Sequence, residues 1–554
     1  MTKNTKHHIR LYNNMKRRAI FSYKKNRLED ALDYIYSCAN LAWHFHLGIW
    51  VDDDLDELLK NIGSNIGNPA RHNKHSADSK KDKDSKILYI ASFLMDIGGH
   101  SEALKQWVTL LKGDVSVQKV LVTNVSPYVS AFPNLNLWLK KIGVEVNELE
   151  AKDRYVTRIG QVVALIQREA PDYIVLFINP SDVVAISAIA SLLSRPKIVY
   201  FNHADHAFWL GRSIVNALVD LRQVGAKISR QYRKIDNSYV IPLMSDIKPR
   251  ECKKSMFNIP EDATISVSIG GFHKISKDYF KTIERILKKS QKHYHLFVTT
   301  PPEKKTLHQF LPSDISIRKR FIVDGPISDL SSIYYLADLI IETFPVIGAT
   351  VRTEAVKCKI PIVAYRDIQF PLFSEDDVLP SNYTFRASSE EGIITHSLRL
   401  INNESLRKQT GNMLYEYYEN NFNSKRIHDL LAQAIFGENS EQGQEMIGRE
   451  VGYSVYGSYD IEHTHLWGRI KKYQLFRELM DSIYFKDNNF SFWSVLDIYI
   501  RAILNKEINL SEIRKIYFPL LLKLKAPHLY KYLRQAYKCT IKPIRNILNY
   551  VANQ

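Results

Sequence analysis

Cysteine is scarce and scattered in this 554-residue chain: Cys38, Cys252, Cys358 and Cys539 form no C-x-x-C pair, and no histidine stands at ligand spacing from them. Neither a disulfide framework nor structural zinc is therefore expected, and a reducing compartment is. Long apolar runs are missing too. The longest, from Val183 to Leu193, follows Asp182 and reads as a buried helix, well short of the ~18 apolar residues that a membrane span needs. The basic N-terminus leads into Asn, Tyr and Arg and not into an apolar stretch, so no signal peptide is readable. A cytoplasmic protein is expected, peripheral on the inner face of the membrane if it touches one.

Acid is absent from both ends. Residues 1–27 carry nine Lys or Arg and no Asp or Glu, and residues 513–554 carry nine more, again without acid. These eighteen charges exceed the whole net charge of +17, which leaves residues 28–512 near −1. A near-neutral body with basic ends suits an anionic surface met by the ends. Anionic lipid headgroups fit, at roughly 1 kcal/mol per basic residue near the surface. Nucleic acid is not expected as a partner, because its groove should be basic along its own length. The bland alternative is a set of solvated helix faces. The stretch 514–551 interleaves Lys and Arg with Leu, Ile and Tyr and is broken by Pro519, Pro527 and Pro543. It suits either a membrane interface or a helical domain packed on the body.

Between the ends the pattern changes. Residues 1–63 read as a helical extension, with Leu28, Ala31, Leu32, Ile35, Tyr36, Cys38 and Ala39 at helical spacing. The Gly, Asn, Pro and Ser of 64–85 read as a linker. From Lys86 strands and helices alternate. Strands are expected at 86–93, 117–125, 173–178, 197–202 and 238–243, with helices at 155–169 and 181–194. A second series follows: strands at 264–271, 294–300, 321–325, 339–343 and 361–365, helices at 278–290, 329–336 and 349–357, and a long helix over 404–436. Continuous apolar strands separated by helices imply parallel sheets. The expected class is α/β, with two Rossmann-like domains over 86–243 and 244–438 and a helical basic region over 439–554.

Ligands of open α/β sheets bind at the carboxyl ends of strands, and two such loops stand out. In GGFHKISKDYF (270–280), Gly270 and Gly271 allow backbone to approach a ligand, and Lys274 offers a mobile cation suited to phosphate. A surface lysine in a βα turn is the bland alternative. In ADLIIETFPVIGATVRTEAVKCKIPIVAY (337–365), Gly348, Ala349 and Thr350 fall at an expected helix N-terminus, where free N–H groups favour an anion. Glu354 lies one turn on, suited to ribose hydroxyls. Brought together across one sheet, the two loops would bracket a diphosphate.

These segments resemble the C-terminal domain of GT-B glycosyltransferases, closest to the family of protein O-linked N-acetylglucosamine transferase and the bacterial adhesin N-glucosyltransferases. That family has an Asn/Phe-rich turn with a Lys and a following Ile or Thr on the UDP phosphates; here Gly271-Phe272-His273-Lys274-Ile275 matches. Its Asp-Thr-Pro strand end, Gly-x-Thr-Thr and ribose Asp are matched by Glu342-Thr343-Phe344-Pro345, Gly348-Ala349-Thr350-Val351 and Glu354. The second Thr is thus Val351, the ribose acid is Glu, and no tetratricopeptide array is present. The resemblance covers roughly 260–370. The retaining GT-B motif needs an acid eight residues before Glu354, where Val346 stands, which favours the inverting, one-step reading. The resemblance implies a UDP-sugar as co-substrate and neither a metal nor another cofactor.

The first domain should then supply acceptor contacts and a base. Asp96, Gly98, Gly99 and His100 follow its first strand, and FNHADHAFWLG (201–211) follows the strand expected at 197–202, with His203, Asp205, His206 and Trp209. A histidine near its ordinary pKa can accept a proton at neutral pH. His203 is the first candidate base, with Asp96 and His206 behind it. A zinc site and purely structural histidines remain the alternatives, and Trp209 suits a sugar-stacking face or the core equally. The functions this leaves are transfer to a cell-envelope polysaccharide or lipid-linked glycan, protein glycosylation, epimerisation of a sugar nucleotide, and non-catalytic binding of a nucleotide sugar or polyanion.

Overall fold

The computed structural model describes residues 3–44, 47–66 and 84–437, apart from 97, 126–129, 302–306, 328, 368–373 and 375–376. The basic region expected over 439–554 lies outside the described residues. Met1–Phe45 belongs to one compact unit and His46–Leu466 to another.

In the first unit, helix Lys3–Lys24 and helix Leu28–His44 form a hairpin. Tyr12, Met15, Ala19 and Ser22, one row at helical spacing, are its buried face. The Cys38 thiol approaches the Tyr12 carbonyl at 3.6 Å.

The second unit holds two sheets. The first contains β1 (Lys86–Ala91), β2 (Val117–Val122), β3 (Glu145–Glu148), β4 (Tyr173–Phe177), β5 (Lys197–Asn202), β6 (Ala217–Asp220) and β7 (Ser238–Val240) in the order β3-β2-β1-β4-β5-β6-β7. The second contains β8 (Thr264–Ile269), β9 (His293–Val298), β10 (Phe321–Asp324), β11 (Leu339–Ile341), β12 (Ile362–Tyr365) and β13 (Arg386–Ala387) in the order β10-β9-β8-β11-β12-β13. Every pairing is parallel. Each sheet therefore begins at its centre, runs outward, and returns to continue on the other side. That is the doubly wound Rossmann order, with switch points between β1 and β4 and between β8 and β11. The chain is α/β with two Rossmann-like domains. The central strands are buried on both faces because helices cover both; β4 is buried along its whole length.

The apolar stretch after Asp182 forms helix Val183–Ala190, buried on all sides. Its outer face is covered by helix Asp53–Ile66. That helix, expected as part of the N-terminal extension, belongs to the unit of the sheets. Asp56 anchors it by accepting from the Gly211 and Ser213 amides at 2.8 and 3.0 Å. The two helices meet so closely at Gly63 that a Cβ there would lie 2.0 Å from the Ser187 carbonyl oxygen. Gly63→Ala should therefore force the pair apart and cost about 1–3 kcal/mol, as overpacking generally does. A thermal melt equal to the wild type would contradict this contact.

The long helix expected over 404–436 is two helices, Glu404–Phe422 and Ser424–Phe436. Asn423 separates them and caps the second, accepting from the Arg426 amide at 3.0 Å. The break lets the last helix turn back onto β5, β6 and helix Gly99–Leu110 of the first domain. His428 Nε2 lies 2.6 Å from Asp114 Oδ2, and this carboxylate raises the imidazole pKa. At the other crossing, the Gln106 side chain donates to the Met244 carbonyl at 2.8 Å and accepts from its amide at 3.1 Å. The domains are joined at these two crossings.

Candidate functional site

The carboxyl ends of the two central strands of the second sheet build one half of the site. After β8 the chain passes through Gly270, where a Cβ would stand 3.3 Å from Thr343 Cγ2. The absent side chain lets the ends of β8 and β11 approach. The two loops are then laced together: the Ser276 amide donates to Phe344 O at 3.1 Å and the Val346 amide to Lys274 O at 3.3 Å. A short turn Phe272–Lys274 leads to helix Lys277–Lys289, capped by Ser276.

Lys274 folds back so that its amine donates to the Ile347 carbonyl at 3.4 Å. Burial lowers its pKa, and no carboxylate pairs with it among the described residues. An ammonium group out of water without a counter-ion is costly, so this one is poised for an anion. Helix Ala349–Lys357 begins beside Ile347. Gly348 is its N-cap, no side chain caps its amides, and no acid occupies its first turn. The loop lysine and the uncapped helix start thus share the β8/β11 switch point, as the sequence spacing requires.

Glu354 lies one turn into that helix and accepts from the Tyr334 hydroxyl at 2.6 Å. Burial raises its carboxyl pKa, with the charge of Glu102 in the first domain adding to the rise. Sequence reading passed over Arg352, which is nearly fully buried and ion-paired with Glu342 through its Nε and Nη2. Glu342 also accepts from the Tyr365 amide at 2.8 Å. Both carboxylate oxygens are thereby committed, and the pair fixes the strand end to the helix.

The first domain brings its own switch point to the same place. A Cβ on Gly99 would lie 3.9 Å from both the Thr350 methyl and Leu243 Cδ1, so the loop after β1 meets the start of helix Ala349–Lys357. Gly98, with φ of +147°, sits just before helix Gly99–Leu110. Beneath lies a fixed floor. Asp182 accepts from Ser92 and Thr123 hydroxyls, both at 2.6 Å, and from the Val184 and Ala185 amides at 3.0 and 2.9 Å.

His100 stacks on Phe93 at 5.2 Å between centroids and meets Phe177 and His203 edge-on at 5.7 and 4.9 Å. Neither of its ring nitrogens makes a well-formed hydrogen bond among the described residues. Burial brings its pKa down to about 4 and pushes that of His203 well below the ordinary value, each also neighbouring another imidazole. Both rings are neutral at physiological pH, and His203 keeps partial exposure.

The other first-domain candidates are held in structural contacts. Asp96 accepts from the Leu135 amide and the Asn134 side chain, both at 2.9 Å, and so caps helix Pro133–Lys141. Asp205 is gripped by Arg222 at 2.7 and 2.8 Å, and the charges beside it hold its pKa low against the opposing effect of burial. His206 Nδ1 stands 3.5 Å from the same carboxylate. Trp209 is fully buried, stacked on Tyr200 at 4.5 Å with the Arg233 guanidinium 5.2 Å away over its ring. It offers no open face to a sugar; the expected stacking role yields to a core one. Among the described residues no three His, Cys, Asp or Glu side chains converge as a metal would require, and Asp205 is already committed to Arg222.

No protein-family model and no curated protein matches the sequence. Among solved structures, the chain is similar to a glycosyltransferase of Rickettsia africae, at 14% identity and a TM-score of 0.49 over 64% of this chain and 99% of that one. It is similar to a mutant O-GlcNAc transferase of Thermobaculum terrenum, at 12% and 0.44 over 79% and 78%. A third is an Anabaena protein in complex with UDP and glucose, at 14% and 0.47 over 63% and 98%. These likenesses carry no residue-by-residue correspondence; the two strand orders define the fold by themselves.

Proposed function

We propose that the chain is a glycosyltransferase that moves a sugar from a nucleotide diphosphate, a UDP-sugar, to a hydroxyl of a cell-envelope polysaccharide or lipid-linked glycan. The observation that carries this reading is Lys274: a half-buried ammonium with no carboxylate partner among the described residues, beside an uncapped helix start at a switch point. Lys274 and the amides of Ala349 and Thr350 hold the diphosphate and stabilise charge on the leaving oxygen. Glu354, steadied by Tyr334, takes the ribose hydroxyls. On the opposite side a neutral imidazole, His203, accepts the acceptor hydroxyl proton as the new C1–O bond forms. The bond from C1 to the phosphate oxygen breaks in the same step, its electron pair staying with the diphosphate. Anomeric configuration inverts, and no metal is needed because Lys274 and the helix start supply the positive charge.

The test is transfer from labelled nucleotide sugars into a lipid and polysaccharide extract, with donor alone as the control for epimerisation. The pH profile adds a sharper expectation. Burial lowers the His203 pKa below 6.5, so the ring stays unprotonated, and able to accept, as pH falls through that value. The acid limb of kcat/KM should lie clearly below the pH 6.5 of an ordinary histidine. His203→Gln should lower turnover by about 10²–10⁴-fold and leave nucleotide binding intact. An acid limb at or above 6.5, or full turnover in that variant, would remove His203 from the reaction.

A further inference from the structure

The N-terminal hairpin presents a face that the transfer reaction does not use. Opposite the buried row Tyr12, Met15, Ala19 and Ser22, helix Lys3–Lys24 exposes Arg10, Asn13, Arg17, Phe21 and Lys24. These recur every three or four residues and so form one stripe. Phe21 is 54% exposed, the only phenylalanine among the exposed large apolar side chains of the described residues. The Lys25 amine and the Arg27 guanidinium lie 5.9 and 5.7 Å from its ring centre. Arg10, Arg17, Lys24 and Lys25 have no acidic partner among the described residues. The acids nearest in sequence, Glu29 and Asp30, open the next helix, and Asp30 is paired with Arg27 at 3.6 Å.

We infer that this stripe docks on an anionic lipid surface, with Phe21 entering the headgroup region and the cations around it meeting phosphates. Charge complementarity selects the surface, since the stripe has one sign of charge along its length. The exposed aromatic ring selects lipid over nucleic acid: a phosphate backbone gives a lone phenylalanine nothing to bury into, whereas an interface does. The inference stands apart from the transferase reading, because binding is measured without turnover.

The full chain is sedimented with phosphatidylcholine vesicles, with and without phosphatidylglycerol, alongside two variants of exposed positions. One is Arg10→Glu/Arg17→Glu/Lys24→Glu and the other Phe21→Ser, each checked by thermal melting. Binding should require phosphatidylglycerol and weaken at high salt. It should fall at least about tenfold in the triple variant, since three basic residues near an anionic surface contribute more than that. Phe21→Ser should lose about tenfold at any salt. Equal binding by the triple variant, equal binding to neutral vesicles, or binding to a DNA duplex but not to vesicles would overturn the inference.

Discussion

Replacing Lys274 by alanine is expected to lower turnover by about 10²–10³-fold, the usual consequence of removing one group that stabilises a developing oxyanion. The affinity for a nucleoside diphosphate should fall with it, whereas nucleoside binding should change little. The stability of the variant discriminates more sharply. The ammonium is half-buried, its pKa is lowered by desolvation, and its one hydrogen bond among the described residues, to Ile347 O, is 3.4 Å long. Its loss removes an unfavourable burial, so the melting temperature should be unchanged or higher. A structural lysine would behave in the opposite way, with lost stability and retained turnover.

The second large effect concerns Arg352. Its guanidinium is ion-paired with Glu342 and also donates to the carbonyls of Tyr365 and Ser374, at 3.3 and 3.2 Å. Arg352→Met keeps the volume but leaves the Glu342 carboxylate buried without its partner. Breaking one side of such a pair costs about 3–5 kcal/mol. For a domain of this size that lowers the melting temperature by roughly 6–20 °C. Arg352→Met with Glu342→Gln should recover much of the loss, because no uncompensated charge then remains. If the single variant melts like the wild type, the pair does not hold the strand end to the helix as described.

The sequence showed the central strands well and the edges poorly. β1 and β4 are near-continuous apolar runs, because helices cover both of their faces, and β8 alternates Ile and Val with small buried Ser. β3 reads Glu-Val-Asn-Glu at an edge and β6 is only four residues long, so neither stands out from a loop. The half of the site proposed to hold phosphate could be singled out because each part is local: a glycine pair and a lysine after one strand, and a glycine at a helix start after another. Arg352 was not, since its partner stands ten residues away and helical periodicity treats it as any charged residue. Trp209 illustrates the same limit. Its burial depends on Tyr200 and Arg233, whose convergence no local pattern announces. The aromatic box around His100 likewise draws Phe93, Phe177 and Phe201 from three strand ends.

The central claim is that Lys274 and the helix start at Gly348 form a nucleoside diphosphate site. Titration calorimetry of the full chain against UDP, GDP, CMP, TDP and ADP tests it most directly. The account predicts selective binding of UDP, lost in Lys274→Ala. Absence of binding by every nucleotide, or UDP binding unaltered by that substitution, would contradict it.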